Sequence, residues 1–319
     1  MRTTQAQPSL FTSMEPTSST PVISATLAAH TVVTAPVVAQ TVIAQPVAAK
    51  PAAAQQAVEK PVAKPKIEKP NWDGIYQKLV KGVKKYFEET HFKRGVLGLS
   101  GGVDSALTLK IAVDALGADN VTALIMPELG ITKQENIDHA KVLCEFLGVV
   151  YHYQPINGMV SEFRMAPWSP SQLASMNTKA RIRAVMLYSY ANTDHALVLG
   201  TSNKSELLLG YGTKYGDLAA DIEVIADLYK TEVIKLADHI GMPPEIVNKA
   251  PSAELAAGQT DEEEIGAPYQ DLDKVLQRLD MGQEWCVSHG LPIALVQLVF
   301  RLFEQNRHKT ELPHMIFAK

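Results

Sequence analysis

The stretch GVLGLSGGVDSALTLKIAVDALG, residues 95–117, decides the fold. Its apolar opening, Gly95–Leu99, is too short for a helix and stops at glycine and serine, which predicts a buried strand. Its second apolar run, Ala106–Leu116, predicts a helix. The joint holds two glycines, two hydroxyls and one carboxylate. A glycine-rich turn between strand and helix lets the backbone approach a ligand closely. Its N–H groups and the helix N-terminus together make an anion site. Ser100 and Ser105 add hydroxyl donors. Asp104 repels a phosphate but suits a magnesium ion bridging carboxylate and phosphate. No lysine follows the second glycine, so this is not a Walker loop, and the GxGxxG fingerprint is also absent. The plainer alternative is an ordinary strand–helix turn with a polar cap. The full SGGVDS after a strand favours a pyrophosphate-binding loop.

Outward from the loop, strands and helices alternate. Helical spacing of Ile75, Leu79, Val83 and Phe87 predicts a helix over 71–91. Strands are expected at 120–126, 149–156 and 196–199, and helices at 134–147 and 176–190. Beyond about Leu228 the chain reads as helical. This pattern predicts an α/β fold: a parallel sheet with helices on both faces. Ligands of such sheets sit beyond the carboxyl ends of the strands. SGGVDS and TSNKSE both fall at such ends, so they are expected at one crevice.

The first 70 residues differ in kind. They hold nine of the 19 prolines, none of the 19 glycines and one aromatic residue, Phe11. Such a segment offers little large apolar surface against its ordering entropy, which predicts a disordered tail over 1–70 before a domain over 71–319. Pro21, Pro36 and Pro46 interrupt the uncharged run Pro16–Ala49, which argues against a membrane span. The tail carries +3; taken from the net −4, that leaves −7 on the domain. No basic field points to nucleic acid. An acidic domain that binds nucleotides must place its cations locally. Two cysteines, Cys144 and Cys286, give neither a disulfide framework nor zinc spacing, which fits a reducing, cytoplasmic setting.

GLSGGVDSA resembles the loop of the ATP pyrophosphatases, which cleave ATP to AMP and pyrophosphate. Four later blocks are similar to the NAD synthetase family: NTKARIRAVMLYSYAN, LVLGTSNKSELLLGYGTKYGDLAADIEVIADLYKTEV, NKAPSAELAAGQTDEEE and RHKTELP. The resemblance covers roughly residues 71–319. It implies an adenine nucleotide alpha hydrolase-like fold. It also implies a reaction in which ATP adenylates the carboxylate of deamido-NAD and ammonia then displaces AMP, giving NAD. Gly98, Leu99, Ser100, Gly101, Gly102, Val103, Asp104 and Ser105 would hold ATP phosphates, joined by Thr201, Lys230 and Ser252. Asp104 and Glu206 would hold magnesium. Arg181, Lys214, Asp221, His308 and Lys309 would contact deamido-NAD. Arg181 and Arg183 stand two apart, so a helix cannot aim both at one ligand. The neighbourhood AAGQTDEEE is expected to be an active-site loop.

Glutamine-using members of the family carry an amidohydrolase with a catalytic cysteine ahead of the synthetase part. Here that space holds the tail, and both cysteines lie inside the domain, so an ammonia-dependent enzyme is expected. The resemblance also implies a homodimer. The rival readings are another enzyme built on the same loop and a nucleotide-binding scaffold without chemistry.

Overall fold

The computed structural model describes residues 70–318 except 253, 254, 257 and 259. The expected tail therefore lies almost wholly outside the described residues. The chain opens with α1 (Trp72–Thr90), β1 (Arg94–Gly98), α2 (Val103–Leu116), β2 (Val121–Ile125), α3 (Gln134–Leu147) and β3 (Val150–Tyr153). It continues through α4 (Asn157–Phe163), α5 (Gln172–Asp194), β4 (Ala196–Gly200), α6 (Lys204–Leu209) and β5 (Ile222–Glu223). A helical end follows: α7 (Lys230–His239), α8 (Pro244–Val247), α9 (Asp261–Ile265), α10 (Tyr269–Leu276), α11 (Gln283–Ser288) and α12 (Ile293–Asn306).

The five strands form one parallel sheet in the order β3-β2-β1-β4-β5. Period-two alternation sends neighbouring side chains of β1 to opposite faces. Leu97 joins a core built with Val83, Phe87, Leu107, Leu143 and Leu236 of α1, α2, α3 and α7. Val96 joins a second core with Val198 of β4 and Ile182 of α5. The sheet is thus covered on both faces, as its apolar strands require. A third cluster, including Leu209, Tyr269, Leu272 and Val299, ties α6 to the helical end.

Helix α1 starts where expected because Asn71 caps it, its side chain accepting from Gly74 N at 2.9 Å. Three elements were not anticipated: the short helix α6, strand β5 and helix α4. Strand β5 has only two residues, and its register, Leu199 beside Ile222 and Gly200 beside Glu223, comes from its neighbour rather than its own periodicity. Helix α4 sits in a link with no clear apolar stripe. No helix among the described residues is long and apolar enough to cross a membrane. Both cysteines are buried and free.

The chain runs outward from β1 to β3, then returns on α5 to place β4 on the other side of β1. The loops after β1 and β4 therefore leave the sheet in diverging directions and open a crevice between them.

Candidate active site

The loop after β1 is held open by its own chemistry. Gly101 adopts a positive φ of 80°, and a Cβ there would collide with the carbonyl oxygen of Asn136 on α3. Only glycine fits. Gly102 N donates to Ser100 Oγ at 3.2 Å, and Ser105 Oγ donates to Gly102 O at 3.1 Å. The first turn of α2 has no side-chain cap. Its leading N–H groups stay available to an anion, as the macrodipole favours.

The loop after β4 brings the counter-charges. Asn203 caps α6 in a reciprocal box with Glu206: Glu206 N donates to Asn203 Oδ1 at 3.0 Å and Asn203 N to Glu206 Oε2 at 3.2 Å. The same Asn203 donates through Nδ2 to Asp104 Oδ1 at 2.9 Å, joining the two loops. Lys230, the first residue of α7, inserts its ammonium between them. Nζ pairs with Asp104 Oδ2 and lies 3.6 Å from Glu206 Oε1. The lysine side chain is only 2% exposed. Burial alone would lower the Lys230 pKa, but Asp104 and Glu206 outweigh it and hold the ammonium above its ordinary range. Burial, then the nearby Asp104 charge, pushes Glu206 up to about 8 despite the pull of Lys230. The site therefore holds more carboxylate than one lysine neutralises.

Two hard oxygen donors sharing one buried cation, one of them holding a proton that a divalent ion would displace, fit a magnesium ion. No cluster of three acidic, histidine or cysteine side chains among the described residues stands ready as a metal cage. A pair of carboxylates that leaves most positions to water and phosphate is the usual arrangement for that ion.

These groups line a cleft of about 670 Å³. Of the expected residues, Gly98, Leu99, Ser100, Gly102, Val103, Asp104, Ser105, Thr201, Glu206, Lys230, Ser252 and Lys309 line it. Gly101 lies just behind the wall. Arg181 is exposed outside it, with Nε 3.3 Å from Lys214 O, while Arg183 faces the cleft and donates to Met126 O at 2.9 Å.

The rim is a reciprocal lysine lock. Lys214 Nζ donates to His308 O at 2.5 Å and Glu311 O at 3.0 Å. Lys309 Nζ donates to Gly210 O at 2.7 Å and Gly212 O at 3.1 Å. Arg181, Lys214, His308 and Lys309 thus gather at one place. Asp221 does not join them. Its carboxylate accepts from Val198 N at 2.8 Å and from Tyr188 Oη at 3.3 Å. It faces a smaller cavity of about 240 Å³ with Phe92, Asn192 and His195, toward the amino ends of β1 and β4.

Sequence reasoning missed several groups. Buried Asp273 accepts from Ser205 Oγ at 2.5 Å and from Thr231 N at 3.0 Å, while Ser205 Oγ accepts from Lys230 N at 2.9 Å. This relay fixes the start of α7 and so the root of Lys230. Lys179 pairs with buried Glu128 at 2.6 Å and donates to Leu255 O at 2.9 Å, tying the loop near 255 to α5. Tyr211 Oη lies 2.7 Å from Glu264 Oε2 and 3.0 Å from Asp261 Oδ1, two acceptors for its one proton. Asp261 and Glu264 line the cleft, where the acidic neighbourhood of AAGQTDEEE was expected.

The NAD synthase family model matches residues 75–313. A curated NH3-dependent NAD+ synthetase from Methanocaldococcus jannaschii is 44% identical over 246 residues, 75% of this chain and 95% of that one. The solved NH3-dependent NAD synthetase from Campylobacter jejuni, in complex with nitrate, superposes with a TM-score of 0.68 at 32% identity. That match covers 78% of this chain and all of its counterpart. The solved NMN synthetase from Francisella tularensis gives a TM-score of 0.70 at 30% identity, over 78% of this chain and 99% of that one.

Proposed function

Because the chain belongs to the NAD synthase family, we propose that it is an ammonia-dependent NAD synthetase. It is a ligase: ATP adenylates the carboxylate of deamido-NAD, and ammonia displaces AMP to form the amide of NAD. The supporting observation is one cation, Lys230, buried between the carboxylates of Asp104 and Glu206 at the mouth of an uncapped helix in the same cleft.

A carboxylate is a poor electrophile, and transfer of AMP onto it creates a leaving group. The groups around Gly98–Ser105 receive the phosphates, with N–H donors at the start of α2 and hydroxyls from Ser100 and Ser105. Thr201 and Ser252 add polar contacts to ATP across the cleft. Asp104 and Glu206 hold magnesium, which supplies Lewis-acid stabilisation of phosphate charge when bound. Lys230 offsets part of the carboxylate charge and places a cation beside the reacting phosphate. Arg181, Lys214, His308 and Lys309 receive deamido-NAD at the rim. No side chain serves as a covalent nucleophile: the substrate carboxylate attacks phosphorus and ammonia attacks carbon.

The active unit is a cytoplasmic homodimer. Phe163, Met165, Trp168 and Leu173, in and after α4, are 57–81% exposed, the character of a surface that a partner covers.

The test is turnover of purified protein with ATP, magnesium and deamido-NAD, given ammonium or glutamine, with NAD, AMP and pyrophosphate quantified. NAD formed with ammonium alone and matched by AMP is the expected result. Replacing deamido-NAD by nicotinic acid mononucleotide separates this activity from that of the NMN-forming neighbour. Turnover of the mononucleotide alone would overturn the dinucleotide assignment.

A further inference from the structure

Glu223 is an acid turned inward that neither the nucleotide groups nor the rim account for. It ends β5, and the register sets it beside Gly200 at the end of β4. Its carboxylate lies over that glycine, in the space where the Cβ of any other residue at 200 would stand. Gly200 lines the nucleotide cleft and Glu223 does not. The charge acting on Glu223 is that of Asp217, of like sign, so an ion pair does not explain an acid here. What the carboxylate meets is the turn after β4: Oε2 accepts from Ser202 N at 3.2 Å. Ser202 is 6% exposed, so its N–H needs an acceptor within the protein.

That turn serves the site on either side of the bond. Thr201 lines the cleft. Asn203 caps α6 together with Glu206 and donates to Asp104 of the other loop at 2.9 Å. The bond at Ser202 N fixes the peptide plane between Thr201 and Ser202, and with it the directions in which both neighbours leave. We propose that Glu223 is a positioning residue for ATP: wedged over Gly200, it sets the turn that presents Thr201 to the nucleotide and Asn203 to Asp104. This rests on the ATP-consuming reading given above. Glu223 acts through the backbone rather than on the substrate. Two properties must combine in it, a side chain that fills the hollow over Gly200 and an oxygen that accepts from Ser202 N.

The experiment is calorimetric titration of α,β-methylene-ATP, with magnesium, into the full chain and its Glu223→Gln, Glu223→Met and Glu223→Ala variants. Steady-state turnover is measured beside it, well below the melting temperature of each protein. E223Q keeps both properties and should bind the analogue as the parent does. E223M fills the hollow without accepting, and E223A does neither; both should bind roughly tenfold more weakly, the worth of one buried donor left unpaired. Their KM for ATP should rise by a similar factor with the KM for deamido-NAD unchanged. If E223A does not fold, E223M carries the comparison. A role in stability alone would lower the melting temperature of E223M and leave its analogue binding intact, a result that overturns the proposal. Equal weakening toward the analogue and deamido-NAD overturns it as well. Gly200→Ala approaches the same contact from the other strand: its methyl displaces the carboxylate and should reproduce the loss. Combined with E223A it should bind no worse than the weaker single variant, whereas losses that multiply would show the two residues to be uncoupled and refute the wedge. A parent protein that does not bind the analogue at all removes the ATP reading, and the proposal falls with it.

Discussion

Lys230 is the residue on which most of the site depends. Removing its charge leaves buried carboxylates without a counter-charge, a change that costs about 3–5 kcal/mol where it has been made in other proteins. Lys230→Met should lose stability of that order in urea unfolding and release no AMP. Wild-type unfolding by that variant would contradict the pairing. Asp104→Asn is gentler, since an amide oxygen can still accept from Asn203. It should fold normally, by circular dichroism, and fail to turn over; a fully active variant would remove the magnesium role. Glu223 gives a pH effect. Burial, then the nearby Asp217 charge, raises its pKa to about 7 against the bond from Ser202 N. The folded state thus holds a proton that the unfolded state has released above about 4.5. Its contribution favours folding at low pH and is lost as pH rises from about 4.5 through 7. Glu223→Gln should therefore melt higher than the parent at pH 8, with the gap closing toward pH 4; equal gaps at both would refute the shift. Asp104, Glu206 and Lys230 were legible because each sits in a dense local motif. Asp273 and the Glu128–Lys179 pair were not, because their partners are distant in sequence and their own surroundings look like ordinary helix surface or loop.

At the scale of elements, strongly patterned segments were readable and borrowed ones were not. Strands β1, β2 and β4 are apolar runs with a glycine or proline at or just beyond the end, and α3 stops at Gly148 in the left-handed conformation as its sequence suggests. Strand β5 exists because β4 offers it a free edge, information its two residues do not contain. Helix α2 begins at Val103, earlier than its apolar run, because the glycines end at the cap. The segment after α12 has no apolar periodicity, yet it builds the rim through Lys309 and the carbonyls bound by Lys214. Lys309→Met should spare the sheet's melting temperature and raise the KM for deamido-NAD roughly tenfold, the worth of one or two such bonds. An unchanged KM would remove the rim from substrate capture.

For the whole molecule, the site residues all lie between Gly98 and Lys309, so a chain beginning at residue 70 should retain ammonia-dependent turnover. Loss of activity in a folded protein of that length would give the first 69 residues a direct part in the reaction. The exposed apolar side chains near α4 predict that Trp168→Glu shifts sedimentation equilibrium from dimer toward monomer. The alternation of strands and helices made the sheet legible, and the two loop motifs located its crevice. The lysine lock was beyond reach, since it depends on carbonyl groups that every residue carries alike. That lock also sets a timetable. Proteins leave the ribosome from the N-terminus, and domains organise as they emerge. The five strands and the phosphate loop can assemble while Lys309 is still inside the exit tunnel, where it cannot yet reach Gly210. The nascent chain would then have a finished floor and no rim, and capture of its larger substrate would begin only once the segment around Lys309 has emerged.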